Sequence, residues 1–159
     1  MTGRSEEQLA SEAIGWMLAV LRDDSEGSIA MAEGLTKREA TTGLVVALRY
    51  AFRRLHADGV PLTWVVPRVT AALHGLVHRL APDEEPAKGH ALRIFDTMTA
   101  AGFSESPLAE DELGETPQVA LLLLLTAFCV VLGEAYKMTS YEAGQALAKV
   151  FATARSPDG

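Results

Sequence analysis

The sequence predicts an all-α protein, a single-domain bundle of six or seven helices around a central hydrophobic helix at about residues 117–137. Three observations lead to this prediction. Residues 119–133 carry no charge, and a helix that is apolar on every side has to be covered on every side. Most of the remaining chain places apolar residues at the spacing of amphipathic helices. No stretch alternates with period two for long enough to form a sheet.

Size and composition agree with this fold class. A chain of 159 residues favours one domain over residues 1–159, with residues 156–159 expected to fray as a tail. Apolar residues make up 48% of the chain and charged residues 22%, which is typical of a folded protein rather than a disordered one. The net charge of −7 disfavours general nucleic-acid binding.

The first half of the chain predicts three long helices and one short one. The first long helix covers residues 5–22 and places Val20 on its inward face. A short helix at 28–33 follows. Thr36 and Glu39 fit a capping box that starts the second long helix. The third runs from 63 or 67 to 80, because proline at 67 is acceptable only in a first turn; Val66 is expected on its inward face.

The second half predicts three helices. A fourth helix is expected at 87–101, followed by an irregular acidic stretch. Thr116 is expected to cap the central helix, with Pro117 at its first position. A second capping box, Thr139 with Glu142, starts the final helix. The inward face expected for this last helix consists of Ala143, Leu147, Val150, Phe151 and Ala154.

The central run is better explained by a buried helix than by a membrane span. A span needs about 20 apolar residues, whereas this run has fifteen and is bounded by Glu115 and Glu134. The acidic N-terminal region lacks the basic start of a secretory signal, so the expected location is cytoplasmic. Cys129 lies inside the run and is expected to behave as a small apolar residue.

Charge is segregated along the chain and gives the first candidate site. Residues 36–80 hold seven basic and two acidic side chains, a net charge of +5 in an acidic protein. Arg38, Arg49 and Arg53 share one flank of the second helix, and Arg54 follows. This flank is either solvated or packed against the acidic loop at 110–115, or it is a site for an anion or an acidic partner protein. Nucleic acid is the less favoured partner, because the aromatic residues of single-strand binders are missing.

The second candidate site is the pair His74 and His78. Two histidines at i, i+4 lie on one helical face and can chelate an ion. The metalloprotease motif fails, because no glutamate follows His74. The pair is therefore either two surface histidines or part of a metal site completed by His56, His90, Glu84 or Glu85. With Ala71 and Gly75 it also forms a strip of small residues that would permit pH-sensitive helix association.

No phosphate-binding loop, nucleophile elbow or Cys-x-x-Cys pair is present in the sequence. Enzymatic activity is disfavoured, although helical bundles do place catalytic groups from distant helices. No catalytic residue and no cofactor is predicted. The expected function is that of a non-catalytic interaction or regulatory protein that works through its helix surfaces, with a protein partner or a second copy of itself. The alternative is a small-molecule- or metal-binding bundle, with enzymes as a subset.

Overall fold

The computed structural model describes residues 5–22, 26–27, 33–34, 36–80, 85–100 and 118–154. These residues form six helices and no strand, which confirms the predicted all-α bundle. The helices are α1 (Glu6–Leu21), α2 (Lys37–Ala57), α3 (Leu62–Leu80), α4 (Glu85–Ala100), α5 (Gln118–Tyr136) and α6 (Ser140–Ala154).

Helix α5 is the centre of the bundle and contacts all five other helices. Residues 120–129 and 131–133 are buried, so the apolar run is covered on every side, as the sequence predicts. Thr126 is the one hydroxyl in the run, and it donates a hydrogen bond of 2.7 Å to the Leu122 carbonyl. Because this surface is buried within the protomer, it is not available as a subunit interface.

Local signals set the helix starts. Thr36 Oγ1 accepts a hydrogen bond from the Glu39 amide, and the Glu39 carboxylate accepts one from the Thr36 amide. This is the predicted capping box of α2. Ser5 caps α1 by accepting from the Gln8 amide at 3.1 Å. The cap predicted for α5, Thr116 with Pro117, lies outside the described residues, as do residues 28–32 of the predicted short helix and the irregular acidic stretch at 103–116.

The corner between α5 and α6 is built from two consecutive caps. Lys137 has a φ of 58°, and the Met138 amide donates a hydrogen bond of 2.9 Å to the Gly133 carbonyl. This 6→1 bond across a left-handed residue is a Schellman ending. The capping box of Thr139 and Glu142 then starts α6, with both bonds present. The two helices meet at 101°, so α6 crosses the end of α5 and returns towards α1 and α2.

Close helix packing joins α1 to α2 through a glycine. A Cβ atom on Gly43 would collide with the backbone carbonyl of Leu9 and lie 3.1 Å from the Ala13 side chain. The hydrogen at this position therefore lets the two backbones approach. Further in, the rings of Phe52, Phe95 and Phe128 form a cluster that joins α2, α4 and α5, with centroids 5.4–6.4 Å apart.

Some inward positions differ from the prediction. At the start of α3 Val65 is fully buried, whereas the predicted Val66 is partly buried and packs against the core, because Val65 continues the four-residue spacing back from Val69. Helix α3 begins at Leu62, and Pro67 therefore lies in its second turn. Pro67 and Thr63 are both exposed, and the proline removes the amide that would otherwise donate to the Thr63 carbonyl.

Among the four predicted inward positions of α6 whose burial the structure describes, one is wrong; the burial of Ala154 lies outside the description. Ala143, Leu147 and Phe151 are buried, whereas Val150 is 37% exposed. Tyr50 of α2 packs its ring against Phe151, edge to face, with centroids 5.4 Å apart. The Tyr50 ring lies on Phe151, and the neighbouring Val150 is left exposed beside this contact. The same margin borders the groove described next.

Candidate functional site: an apolar groove between three helices

A surface groove lies where α2, α5 and α6 meet, with a volume of about 240 Å³. We call it the apolar groove. Its floor is formed by core residues, and its rim by aromatic, aliphatic and basic side chains at the surface. It is lined by Tyr50 and Arg54 of α2, Leu132 and Tyr136 of α5, Met138 of the corner, and Ala143, Ala146, Leu147 and Val150 of α6.

Two apolar side chains are exposed at the rim of the groove. Leu132 and Leu147 are at most 4% exposed and form part of the floor, whereas Met138 and Val150 are each 37% exposed at the rim. Within the described part of the chain, the only other large hydrophobic side chain so exposed is Leu62, also at 37%. Two of these three exposed side chains therefore border one groove. Single exposed apolar residues are ordinary on protein surfaces, whereas grouped ones mark binding surfaces.

The α5–α6 corner places the rim residues. Gly133 makes room for the returning chain, because a Cβ there would collide with the Met138 carbonyl. The Schellman ending then turns Met138 towards the groove, and the following cap directs α6 along its edge. On α6 the lining residues are 143, 146, 147 and 150, which is the i, i+3, i+4, i+7 face of a helix over two turns.

One end of the groove is polar. Arg54 Nε lies 3.2 Å from Asp58 Oδ2, and the Tyr136 hydroxyl donates a hydrogen bond to the same oxygen. The hydrogen bond with Tyr136, and then the charge of Asp58, raise the pKa of Arg54. Burial, followed by the hydrogen bond with Asp58, raises the pKa of Tyr136. At neutral pH the groove therefore ends in a fixed guanidinium cation and a neutral phenol.

Among the four arginines predicted as a partner or anion site, the structure brings only Arg54 to the groove. Arg38 and Arg53 are exposed elsewhere along α2. Arg49 is half-buried, and its Nε is buried with no hydrogen-bond partner among the described residues. The part of the prediction that placed all four on one site stays a prediction, since the acidic loop at 110–115 lies outside the described residues.

The two predicted metal ligands, His74 and His78, are exposed on α3. In the described ranges no group of three or more His, Cys, Asp or Glu side chains comes together. His90 instead lies 3.0 Å from Arg93 Nη2 through its Nδ1, and His56 is exposed at the end of α2. Glu84 lies outside the described residues. Metal binding by the histidine pair stays a prediction.

The strip of small residues beside the histidines is also exposed. Ala71 and Gly75 both face solvent, and a Cβ on Gly75 would meet no atom within 4 Å. The described helices therefore do not use the strip for packing within the protomer. Association of two copies through this strip stays a prediction.

Several groove residues were missed by reasoning from the sequence. Tyr50, Tyr136 and Met138 carry no motif, and only their proximity in the fold joins them. Val150 was assigned to the core. One sequence feature could have indicated the groove, namely Arg54. This cation comes directly before the inward-facing Leu55, close to the end of α2 where the chain turns back.

Comparison with protein-family models, with curated proteins and with solved structures finds no match to this chain. Among the described helices, none taken singly has the length and apolar character needed to cross a membrane.

Proposed function

We propose that this protein is a non-catalytic interaction or regulatory protein that binds a partner protein through the apolar groove. The observation that carries the proposal is the composition of the groove. It is lined by two tyrosines, an arginine, a methionine and aliphatic residues, with no lysine, aspartate or glutamate among the described lining residues. Tyrosine, methionine and arginine are enriched in protein–protein interfaces, and lysine and the acidic residues are depleted there.

The size of the groove favours a side-chain anchor over a cofactor. Pockets for drug-sized ligands and cofactors hold about 300–1,000 Å³, and this groove holds about 240 Å³. One or two large apolar side chains of a partner would fill it. Interface energy is commonly concentrated in a few such anchors, which fit into pockets and exclude water.

Photo-crosslinking tests the proposal. Benzoylphenylalanine is placed at Val150 and, as a matched control, at Leu62, which has the same 37% exposure but lies outside the groove. In the cells that naturally contain the protein, we expect the crosslinker at Val150 to capture one defined partner protein. The crosslinker at Leu62 should not capture this partner. Crosslinking at Val150 has to disappear when Ala146→Trp fills the groove. Equal products at the two positions, unaffected by Ala146→Trp, would overturn the proposal.

Ala71→Trp is the steric control for this experiment. Ala71 and Ala146 are both exposed alanines on helices, so the same substitution adds the same bulk on two different surfaces. We expect Ala71→Trp to leave the crosslink at Val150 unchanged. A crosslink that is lost only with Ala71→Trp would place the interface at the strip beside His74 and His78 instead.

The second candidate, a small-molecule-binding bundle, is favoured by the concave shape of the groove and by the convergence of Arg54 and Tyr136 at one end. The small volume weighs against it. Saturable binding of the amphiphilic anion anilinonaphthalene sulfonate at micromolar concentration, lost with Ala146→Trp and without any protein crosslink, would favour this second function. A cytoplasmic location belongs to the same proposal and rests on the sequence alone.

A further inference from the structure

We infer that the partner presents an amphipathic α-helix to the apolar groove, with a carboxylate beside its apolar anchors that pairs with Arg54. This inference rests on the proposed function, because it names the class of partner for the same groove. Three properties of the groove lead to it: the secondary structure of its walls, the charge of α2, and the hydrogen-bonding capacity of Arg54.

The walls of the groove are helical, which restricts how a peptide can bind. The lining residues belong to α2, α5, α6 and the short corner between the last two. Helical backbone satisfies its own amides and carbonyls, so the walls offer no strand edge to which an extended peptide could add. The α6 edge is instead a row of side chains at i, i+3, i+4 and i+7 from Ala143 to Val150. A second helix packs its own i, i+3, i+4, i+7 anchors against such a row.

Charge favours an acidic partner at this position. At the end of α2 that borders the groove, Arg53 and Arg54 stand beside the single carboxylate of Asp58 in the following turn, a net charge of +1 in a chain of net −7. Complementary charge steers the association of proteins and selects among partners, over a distance of about 8 Å at physiological salt.

Arg54 can donate further hydrogen bonds to a partner, because its side chain is 56% exposed. A guanidinium carries five N–H donors, and among the described residues Arg54 Nε contacts Asp58 Oδ2. Asp58 in turn accepts from both Arg54 and Tyr136, so its charge is met from two sides. The remaining donors of Arg54 suit a partner carboxylate, which forms the stronger, charge-assisted class of hydrogen bond.

Fluorescence anisotropy with labelled designed peptides tests the inference on the full chain. The acidic probe is a helix-forming peptide of about 16 residues with Leu at i, i+3, i+4 and i+7 and Glu on the flanking positions. Two matched peptides carry Gln or Lys in place of each Glu. We expect the acidic peptide to bind at least about tenfold more tightly than the Gln peptide, and the Lys peptide to bind more weakly still.

Variants of the protein connect this preference to Arg54. Arg54→Ala is expected to weaken binding of the acidic peptide at least about fivefold and that of the Gln peptide less than about twofold. Arg93→Ala removes the same charge from an exposed position on α4 and is expected to leave both affinities within about twofold. Circular dichroism and thermal unfolding confirm that each variant is folded before it is used.

The outcomes separate this inference from the proposed function. If the Gln peptide binds as tightly as the acidic one, and Ala146→Trp blocks both, the groove binds helices but the carboxylate partner is wrong. If no peptide binding responds to Ala146→Trp, and the photo-crosslink at Val150 also fails to respond, the proposed function is wrong as well. Concentration-dependent dimerisation in sedimentation that Ala146→Trp abolishes would identify a second copy of this chain as the occupant and would overturn the inference.

Discussion

The hydroxyl of Tyr136 donates a hydrogen bond to the carboxylate of Asp58, a residue 78 positions earlier in the chain. This contact joins the last residue of α5 to the turn that follows α2. Arg54 reaches the same carboxylate from within α2. The three side chains therefore hold together the two helix ends that border the polar end of the apolar groove.

Removing this hydrogen bond is expected to destabilise the fold modestly. Tyr136→Phe keeps the ring and deletes the donor, which should lower the free energy of unfolding by about 0.5–1 kcal/mol. Urea denaturation of the two proteins measures the difference. Tyr141→Phe is the control: Tyr141 is a half-buried tyrosine of α6 whose ring lies near Arg22, with 6.0 Å from the Arg22 Cζ to the ring centroid. A loss as large for Tyr141→Phe would contradict a specific role for the Tyr136–Asp58 bond.

The stabilising effect of Tyr136 should also depend on pH. Burial and the hydrogen bond with Asp58 raise the pKa of Tyr136 in the folded state, above the value of about 10 of an unfolded chain. The folded state thus favours the neutral phenol. The contribution of Tyr136 to the free energy of unfolding is fully present below about pH 10 and is lost as the pH rises through the pKa of Tyr136 in the folded state. We expect the unfolding free energies of wild type and Tyr136→Phe to converge in this alkaline range.

Replacing glycine by alanine should change the free energy of unfolding in opposite directions at two positions. Gly43→Ala should destabilise the protein by about 2–3 kcal/mol, because the new Cβ collides with the Leu9 carbonyl and forces α1 and α2 apart. Gly75→Ala meets open space on the exposed side of α3 and should stabilise by about 0.5–1 kcal/mol through its better helix propensity. Thermal and urea unfolding measure both. Equal signs for the two variants would contradict the close α1–α2 packing.

The buried thiol should be chemically silent in the native protein. Burial raises the pKa of Cys129 to about 12, and its sulfur lies 3.7 Å from Met17 Sδ in the core. Only the thiolate reacts with disulfide reagents. We expect no reaction with dithionitrobenzoate at pH 8 in buffer and one equivalent in about 6 M guanidinium chloride. Rapid stoichiometric reaction of the native protein would show that α5 opens readily.

Loss of the second cap should weaken α6 and change the groove. Thr139→Ala removes the side chain that accepts from the Glu142 amide at 3.0 Å, at an expected cost of about 1 kcal/mol. The Thr139 amide donates in return to the Glu142 carboxylate at 2.9 Å, and this bond lowers the pKa of Glu142. The stabilisation from this hydrogen bond is therefore present above the pKa of about 4.3 that a glutamate has in the unfolded chain. It is lost as the pH falls through the pKa of Glu142 in the folded state.

Thr36→Ala in the capping box of α2 is the matched variant, since both boxes have the same two bonds. Both variants should lose stability, measured by urea denaturation. Only Thr139→Ala should reduce binding of the acidic peptide, because the α6 cap lies next to Met138 and the α2 cap lies far along the chain from the groove. Equal loss of binding in the two would mean that global stability, not groove geometry, controls the affinity.

Features that are encoded locally could be predicted from the sequence. The uncharged run around Leu124 indicated a helix buried on all sides, and the pairs Thr36–Glu39 and Thr139–Glu142 marked two helix starts, because a cap needs residues only three positions apart. The groove depends on long-range proximity instead. The Tyr136–Asp58 contact leaves no local pattern, and no helical wheel reports it.

Val150 shows why the margin of a core is difficult to predict. Its spacing from Leu147 and Phe151 puts it on the apolar side of α6, which is a property of that helix alone. Whether it is covered depends on where Tyr50 of the neighbouring helix ends, and that ring packs on Phe151. A position one step outside a packing contact is thus apolar in sequence and exposed in the fold.

The position of α5 in the chain has a consequence for synthesis on the ribosome. Helices α1 to α4 are translated before the helix that they all contact. The strong contact between α1 and α2 can form early, whereas the faces that receive α5 have no cover until residues 118–136 leave the exit tunnel. At about 5–20 residues per second this delay lasts for seconds. Nascent chains that end before residue 118 should therefore bind chaperones. The chaperones should be released once α5 has emerged from the exit tunnel.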